Sequence, residues 1–110
     1  MTHAIILSEL HSSIKPDTSY AKTNDIVTVI TNYGGVLIVQ LGITRFPVKT
    51  SKTAPISIND IPVFHRLIKE CAAYEDAYRK TKKAETLIKI SAISEKIALF
   101  YIKNDTEYIK

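Results

Sequence analysis

Four side chains could bind a transition metal or act as a soft nucleophile: His3, His11, His65 and Cys71. Structural zinc sites draw on ligand pairs held close together on one turn or helix. Here His3 and His11 lie eight residues apart, and His65 and Cys71 lie six apart on opposed sides of a helical wheel. That spacing favours a thiol facing the core and three surface or half-buried imidazoles over a metal centre. Cys71 has Ala72 and Ala73 beside it in the middle of a helical pattern. Such apolar surroundings raise a thiol's pKa and make it a poor nucleophile. Ser12 and Ser13 next to His11 carry no G-x-S-x-G elbow. Gly34-Gly35 is the one glycine cluster, and neither G-x-G-x-x-G nor G-K-[ST] follows it. The carboxylates of Glu70, Glu75 and Asp76 read as a solvated face, with basic residues one turn on. The expectation is therefore no catalytic residue, no metal and no cofactor, and a protein that is not an enzyme.

One cluster does stand out. Arg79, Lys80, Lys82 and Lys83 place four cations in five residues, where an apolar helical stripe lapses. Tyr74, Tyr78 and Lys82 fall at i, i+4 and i+8, which sets two rings and an ammonium on one strip. Cations that neutralise phosphates and rings that stack on bases would suit non-specific nucleic-acid binding. Against it, Glu70, Glu75, Asp76 and Glu85 dilute the local potential. Only three of the 15 basic residues are arginine, the residue best suited to base readout.

These residues must be positioned by an α+β arrangement. The run Asp25 to Thr31, the turn Asn32-Tyr33-Gly34-Gly35 and the run Val36 to Ile43 spell a β-hairpin. Its simplest register sets Ile30 against Val39, Thr28 against Leu41 and Ile26 against Ile43 on the apolar face, and Thr31 against Ile38 on the mixed one. The expected small antiparallel sheet covers about residues 26–45. Ala4 to Ile14 is ambiguous between strand and helix, because Leu7, Leu10 and Ile14 have helical spacing. Lys15-Pro16 should end that segment, with a polar loop over 17–24. Residues 46–57 contain Pro47, Pro55 and a Ser/Thr/Lys run, and read as a connector between the β half and the helical half.

A helical half over about 59–104 follows. Asn59 or Ser57 can cap it, Pro62 suits a first turn, and Ile61, Phe64, Leu67, Ile68, Cys71 and Tyr78 form a stripe. Glu75–Arg79, Asp76–Lys80 and Glu85–Lys89 are acid-before-base pairs at i,i+4. Residues 86–102 fit a helix with Leu87, Ile90, Ile93, Ile97 and Tyr101 on one face. They also alternate in the manner of two short strands, but no turn residue separates them. An unbroken helix from 60 to 104 would be about 67 Å long. A compact domain of this size is about 34 Å across, so two helices or one bent helix are expected, broken around Thr81–Thr86.

The chain of 110 residues suffices for one domain, 1–110, burying about two thirds of its surface. Its single cysteine excludes an intramolecular disulfide and fits a reducing compartment. A basic n-region is missing before Lys15, and the central Gly-Gly breaks the uncharged stretch 26–44, so neither a signal nor a membrane span is read and the expected location is cytoplasmic. The net charge of +4 divides evenly, with 5 basic and 3 acidic residues in 1–58 and 10 and 8 in 59–110.

The expected function is a small non-catalytic protein-binding module that occludes a macromolecular partner. Lysine- and isoleucine-rich composition suggests an inhibitor or accessory protein of a mobile element such as a phage. Nucleic-acid binding through Tyr74, Tyr78, Arg79, Lys80, Lys82 and Lys83 is the alternative, with no membrane partner. A structural homodimer is a third reading, using the second apolar side of the last helix, Ile88, Ala92, Leu99 and Ile102.

Overall fold

The computed structural model describes residues 2–11 and 17–102. In chain order it has β1 (Thr2–Ile6), β2 (Leu10–His11), β3 (Ser19–Ala21), β4 (Ile26–Asn32), β5 (Val36–Leu41), β6 (Thr44–Lys49), β7 (Thr53–Ile56), α1 (Ile61–Thr81) and α2 (Ala84–Phe100). Five strands form one antiparallel sheet in the order β6-β5-β4-β1-β7, and β2 pairs with β3 as a separate ribbon. The α+β class is as expected, but the sheet is larger than 26–45.

Period-2 alternation divides the strand side chains between two cores. On one face Ala4, Ile6, Val27, Val29, Leu37, Val39, Phe46 and Val48 cluster with Ala21, and Leu10, Tyr20 and Leu41 pack against them. Among the described residues the small ribbon covers this face, with Tyr20 stacked on Phe46 at 5.1 Å. Leu37 and Val39 are fully buried in this cluster. On the other face Ile5, Ala54 and Ile56 receive Phe64, Leu67 and Cys71 of α1 and Ile93 and Ile97 of α2. Phe64 meets Phe100 edge-on at 5.4 Å and Tyr101 at 6.4 Å.

The β4–β5 turn lies where Gly34-Gly35 places it, with φ +70° and +113° at the two glycines. Asn32 Oδ1 accepts from the Gly34 N–H at 2.8 Å, and the Tyr33 N–H donates to the Val36 carbonyl at 2.9 Å. Thr31 faces Ile38 as expected, but then the register shifts. Ile30 is the extra residue of a β-bulge, so Val39 pairs with Val29 and Gln40 with Thr28. The bulge turns Val27 and Val29, rather than Ile26, Thr28 and Ile30, into the core shared with Val39 and Leu41. Ile43 is not a strand partner of Ile26 either. It is the fully exposed residue of a second tight turn, beside Gly42 at φ +63°.

Two other readings are corrected. The polar loop over 17–24 contains β3, whose Ala21 is buried. The connector at 46–57 is largely sheet: β6 runs to Lys49, a 3-10 turn spans Thr50–Lys52, and β7 contains Pro55. Both prolines are tolerated because of where their nitrogens point. The Leu7 N–H donates to the Lys52 carbonyl, which makes Ile6–Thr53 a non-hydrogen-bonded rung, and so also Ala4–Pro55 two residues on. The Thr50 N–H donates to the Gly35 carbonyl, which does the same for Val36–Lys49 and hence Ile38–Pro47. Each proline therefore turns its missing donor outward on an edge strand. On β7 the Thr53 N–H is also taken, by the Thr50 carbonyl. Ala4 to Ile6 is strand, Leu7 lies just past its end, and Leu10–His11 is strand, whereas Ser12 to Pro16 lie outside the described residues, as do 103–104 at the end of the expected helical half.

The expected break between helices falls at Lys82, which takes the left-handed conformation (φ 56°) and donates its N–H to the Tyr78 carbonyl, with Lys83 extended before α2. No helix among the described residues is long and apolar enough to cross a membrane. Phe64 is the fully buried hub of the helix-side core, so Phe64→Ala is expected to cost about 3–5 kcal/mol. Urea unfolding followed by circular dichroism measures the loss.

Candidate interaction surfaces

Both tyrosines of the basic strip are half-buried against the helical hairpin. The Lys82 ammonium sits 5.3 Å from the centre of the Tyr78 ring, and Lys89, from the other helix, sits 5.5 Å from that of Tyr74. Cation–π attraction of this kind contributes about 0.5–1 kcal/mol at exposed sites. A base approaching either ring would have to compete with these ammonium groups. Two further cations share one carboxylate: Asp76 accepts from Lys80 at 3.2 Å and from Arg79 at 3.5 Å. The Asp76–Lys80 pair is thus formed, whereas Glu75–Arg79 and Glu85–Lys89 are not. The structure brings Tyr78, Arg79, Lys80 and Lys82 to one end of the hairpin, with Lys83 exposed at the start of α2; Asp76 pairs with two of these four cations and Lys82 lies over the Tyr78 ring.

Glu75 has another task. Its Oε1 accepts from the Cys71 thiol at 3.2 Å, and Ser94 Oγ lies 4.0 Å from the same sulfur. Cys71 is buried, and burial first and the Glu75 hydrogen bond second push its pKa above the ordinary 9.0. The thiol faces a cavity of about 350 Å3 between the helices and the turn before β4. Tyr101 lines that cavity and donates its hydroxyl to Asn24 Oδ1 at 2.5 Å, across 77 residues of sequence. Burial also raises the Tyr101 pKa, while the Asn24 hydrogen bond lowers it. Asn24 itself has φ 73° and donates its backbone N–H to the Ile6 carbonyl. The Cys71–Glu75 contact was open to inference from i,i+4 spacing; the Tyr101–Asn24 bond had no sequence signal.

The three histidines stay apart. His3 is half-buried on β1 between Thr28 and Ile56, and its Nδ1 is buried with no hydrogen-bond partner among the described residues. His11 lies 3.4 Å from Glu9, and His65 is exposed on α1. No group of three or more His, Cys, Asp or Glu with metal-binding geometry occurs among the described residues. Ser12 and Ser13 lie outside them.

The outer side of α2 is apolar. Ile88, Leu99 and Ile102 are about 70% exposed, and Ala92 is exposed with them. With Glu95 they fall at 88, 92, 95, 99 and 102, a 4-3-4-3 spacing whose first four positions share one side of α2 and whose last, Ile102, lies just past the end of the helix. Leu87, placed by its spacing on the inner stripe, is instead 46% exposed because it lies beyond the sheet. At the other end of α2, Leu99 and Ile102 line a groove of about 540 Å3 with Pro55 and Ile56 of β7 and Val63 and Leu67 of α1. Asp60 and Lys96 stand at the same groove.

Comparison with protein-family models, with curated proteins and with solved structures finds no match for this chain.

Two outcomes follow. The folded-state pKa values of Cys71 and Tyr101 are raised, so protonation of both stabilises the fold below about pH 9 and that contribution is lost as pH rises through the folded values. Stability measured by urea titration should fall from pH 9 to 11, and Cys71→Ala should flatten the slope. Lys82→Gly relieves a left-handed non-glycine residue, worth about 1 kcal/mol, but gives up the Lys82–Tyr78 contact, so the expected net gain is no more than about 0.5 kcal/mol, read as a small rise in Tm.

Proposed function

We propose that this protein is a small non-catalytic binding module that acts by occluding a protein partner. The groove between β7, the start of α1 and the end of α2 supports this reading best. Its volume of about 540 Å3 matches that of a pocket taking a few large apolar side chains. Val63, Leu99 and Ile102 stand 37%, 68% and 71% exposed around it, and Ile58 nearby is 65% exposed. Apolar groups so placed usually meet another surface. The edge of β7 beside the groove offers no N–H at Thr53 or Pro55, which disfavours strand addition. A partner is therefore engaged through side chains, an apolar anchor in the groove with polar contacts to Asp60 and Lys96. A role as an inhibitor or accessory protein, including one from a mobile element, is compatible with such occlusion.

Self-association is the second reading, favoured by the seam of Ile88, Ala92, Leu99 and Ile102. The two readings share Leu99 and Ile102, and one experiment separates them. A photo-crosslinking residue is placed at Leu99, with a control at Ile43, and expressed in the native host. The expected product is a stoichiometric heterologous complex formed from position 99 and not from 43, and lost when Ile102→Asp is added. A product containing only this chain would support the homodimer, and sedimentation would then show a dimer. No product from position 99 would remove both.

A further inference from the structure

We propose that the outer face of β4, β5 and β6 binds single-stranded nucleic acid, with phosphates on Arg45 and Lys49 and a base on Tyr33. The charge distribution motivates it. Between Asp25 and Asp60 the sequence has no acidic residue, yet it carries Arg45, Lys49 and Lys52. Among the described residues, none of these three cations lies within ion-pair distance of a carboxylate. This is the reverse of the helical end, where Asp76 and two rings answer the cations.

The register places the groups together. Along β6, Arg45, Pro47 and Lys49 share the face that points away from the buried cluster, and their partners on β5 are Gln40, Ile38 and Val36. Tyr33 continues the Val36–Lys49 rung through its N–H to the Val36 carbonyl, and it is 71% exposed. The helices do not reach this half of the sheet, since the sheet residues in their core come from β1, β7 and Ile26.

The arginine is held ready. Arg45 Nε donates to Gln40 Oε1 at 2.7 Å, and Gln40 Nε2 donates to the Gly42 carbonyl at 2.9 Å. This relay uses one guanidinium nitrogen and leaves the terminal pair for the fork geometry that suits phosphate. Arg45 and Lys49 are four residues apart on an extended strand, about 13 Å, with the apolar Ile38–Pro47 rung between them. An exposed ring on the same rung as a cation, with one strand between them, is the pairing that single-strand binders use, a stacking platform near a phosphate contact. An acidic peptide would use the two cations but has no need of the exposed Tyr33 ring, which a base can stack on.

The test is fluorescence anisotropy of the full chain with a 5′-labelled twelve-nucleotide oligo(dT), at 50 and 200 mM salt. Two phosphate contacts predict a loss of affinity of about sevenfold between those salts. Arg45→Glu with Lys49→Glu should weaken binding at least tenfold at 50 mM salt, and Tyr33→Ala about tenfold. Arg45→Gln should give a partial loss and serves as the milder variant, with circular dichroism melts confirming that each protein is folded. Lys80→Glu, Lys82→Glu and Lys83→Glu together should change affinity less than threefold. Absence of binding at 50 mM salt would overturn the proposal. So would loss confined to the triple variant, or displacement of the oligonucleotide by poly-L-glutamate at equal charge.

Discussion

One short strand has no exposed side. Ala4, Ile5 and Ile6 are all at 0% exposure, and consecutive residues of a strand point in opposite directions. Ile5 therefore belongs to the core under the helices, and Ala4 and Ile6 to the core on the opposite face of the sheet. The strand also lies between β4 and β7, so it holds the two walls of the sheet in register. A slip of one residue would exchange Ile5 with its neighbours and disrupt both cores at once. The helical hairpin depends on this placement, because its sheet contacts are few: Ile5, Ile26, Ala54 and Ile56. The Tyr101–Asn24 hydrogen bond adds one polar fastening between the end of α2 and the turn before β4.

Around that strand the surface divides into regions with different chemistry. The outward side of α2 is apolar and continuous with a groove, whereas the far half of the sheet is cationic and free of carboxylates. The net charge gives no hint of this division, since both halves of the sequence carry the same excess. Placement of the acids makes the difference. Asp76 is within 3.5 Å of two cations at the hairpin end, while Arg45 is oriented by an uncharged glutamine.

Features governed by near neighbours were legible in the sequence. Gly34-Gly35 announced its turn because both positions need positive φ, and α1 announced itself by its stripe and by Pro62. The interhelical break was deduced from length and from the lapse of the apolar stripe, and Lys82 supplies it without any glycine. β1 was ambiguous because a strand buried on both faces shows no alternation, so its apolar run resembles a helix. Pro47 and Pro55 read as breakers, since only the rung pattern reveals that their nitrogens face outward. The bulge at Ile30 left no mark in residue types, and it moved the inward face by one residue. The thiol's burial was foreseen from its place in the α1 stripe, and Glu75 was within reach of the i,i+4 spacing, but the Tyr101–Asn24 bond joins elements that only packing brings together.

The proline-bearing edges have a consequence for the protein's lifetime in concentrated solution. The uncharged segments Val27–Thr31 and Val36–Leu41 combine β-branched and aliphatic residues in the pattern that stacks into cross-β assemblies. In the fold both are interior strands with a neighbour on each side, and the strands left at the margins are the two that carry proline. The margins of that sheet thus offer a neighbouring molecule fewer donors, since Pro47 on β6 and Thr53 and Pro55 on β7 present no free N–H. The hazardous segments are released only when the sheet itself comes apart, so resistance to fibre formation is kinetic, governed by how often the whole β half opens.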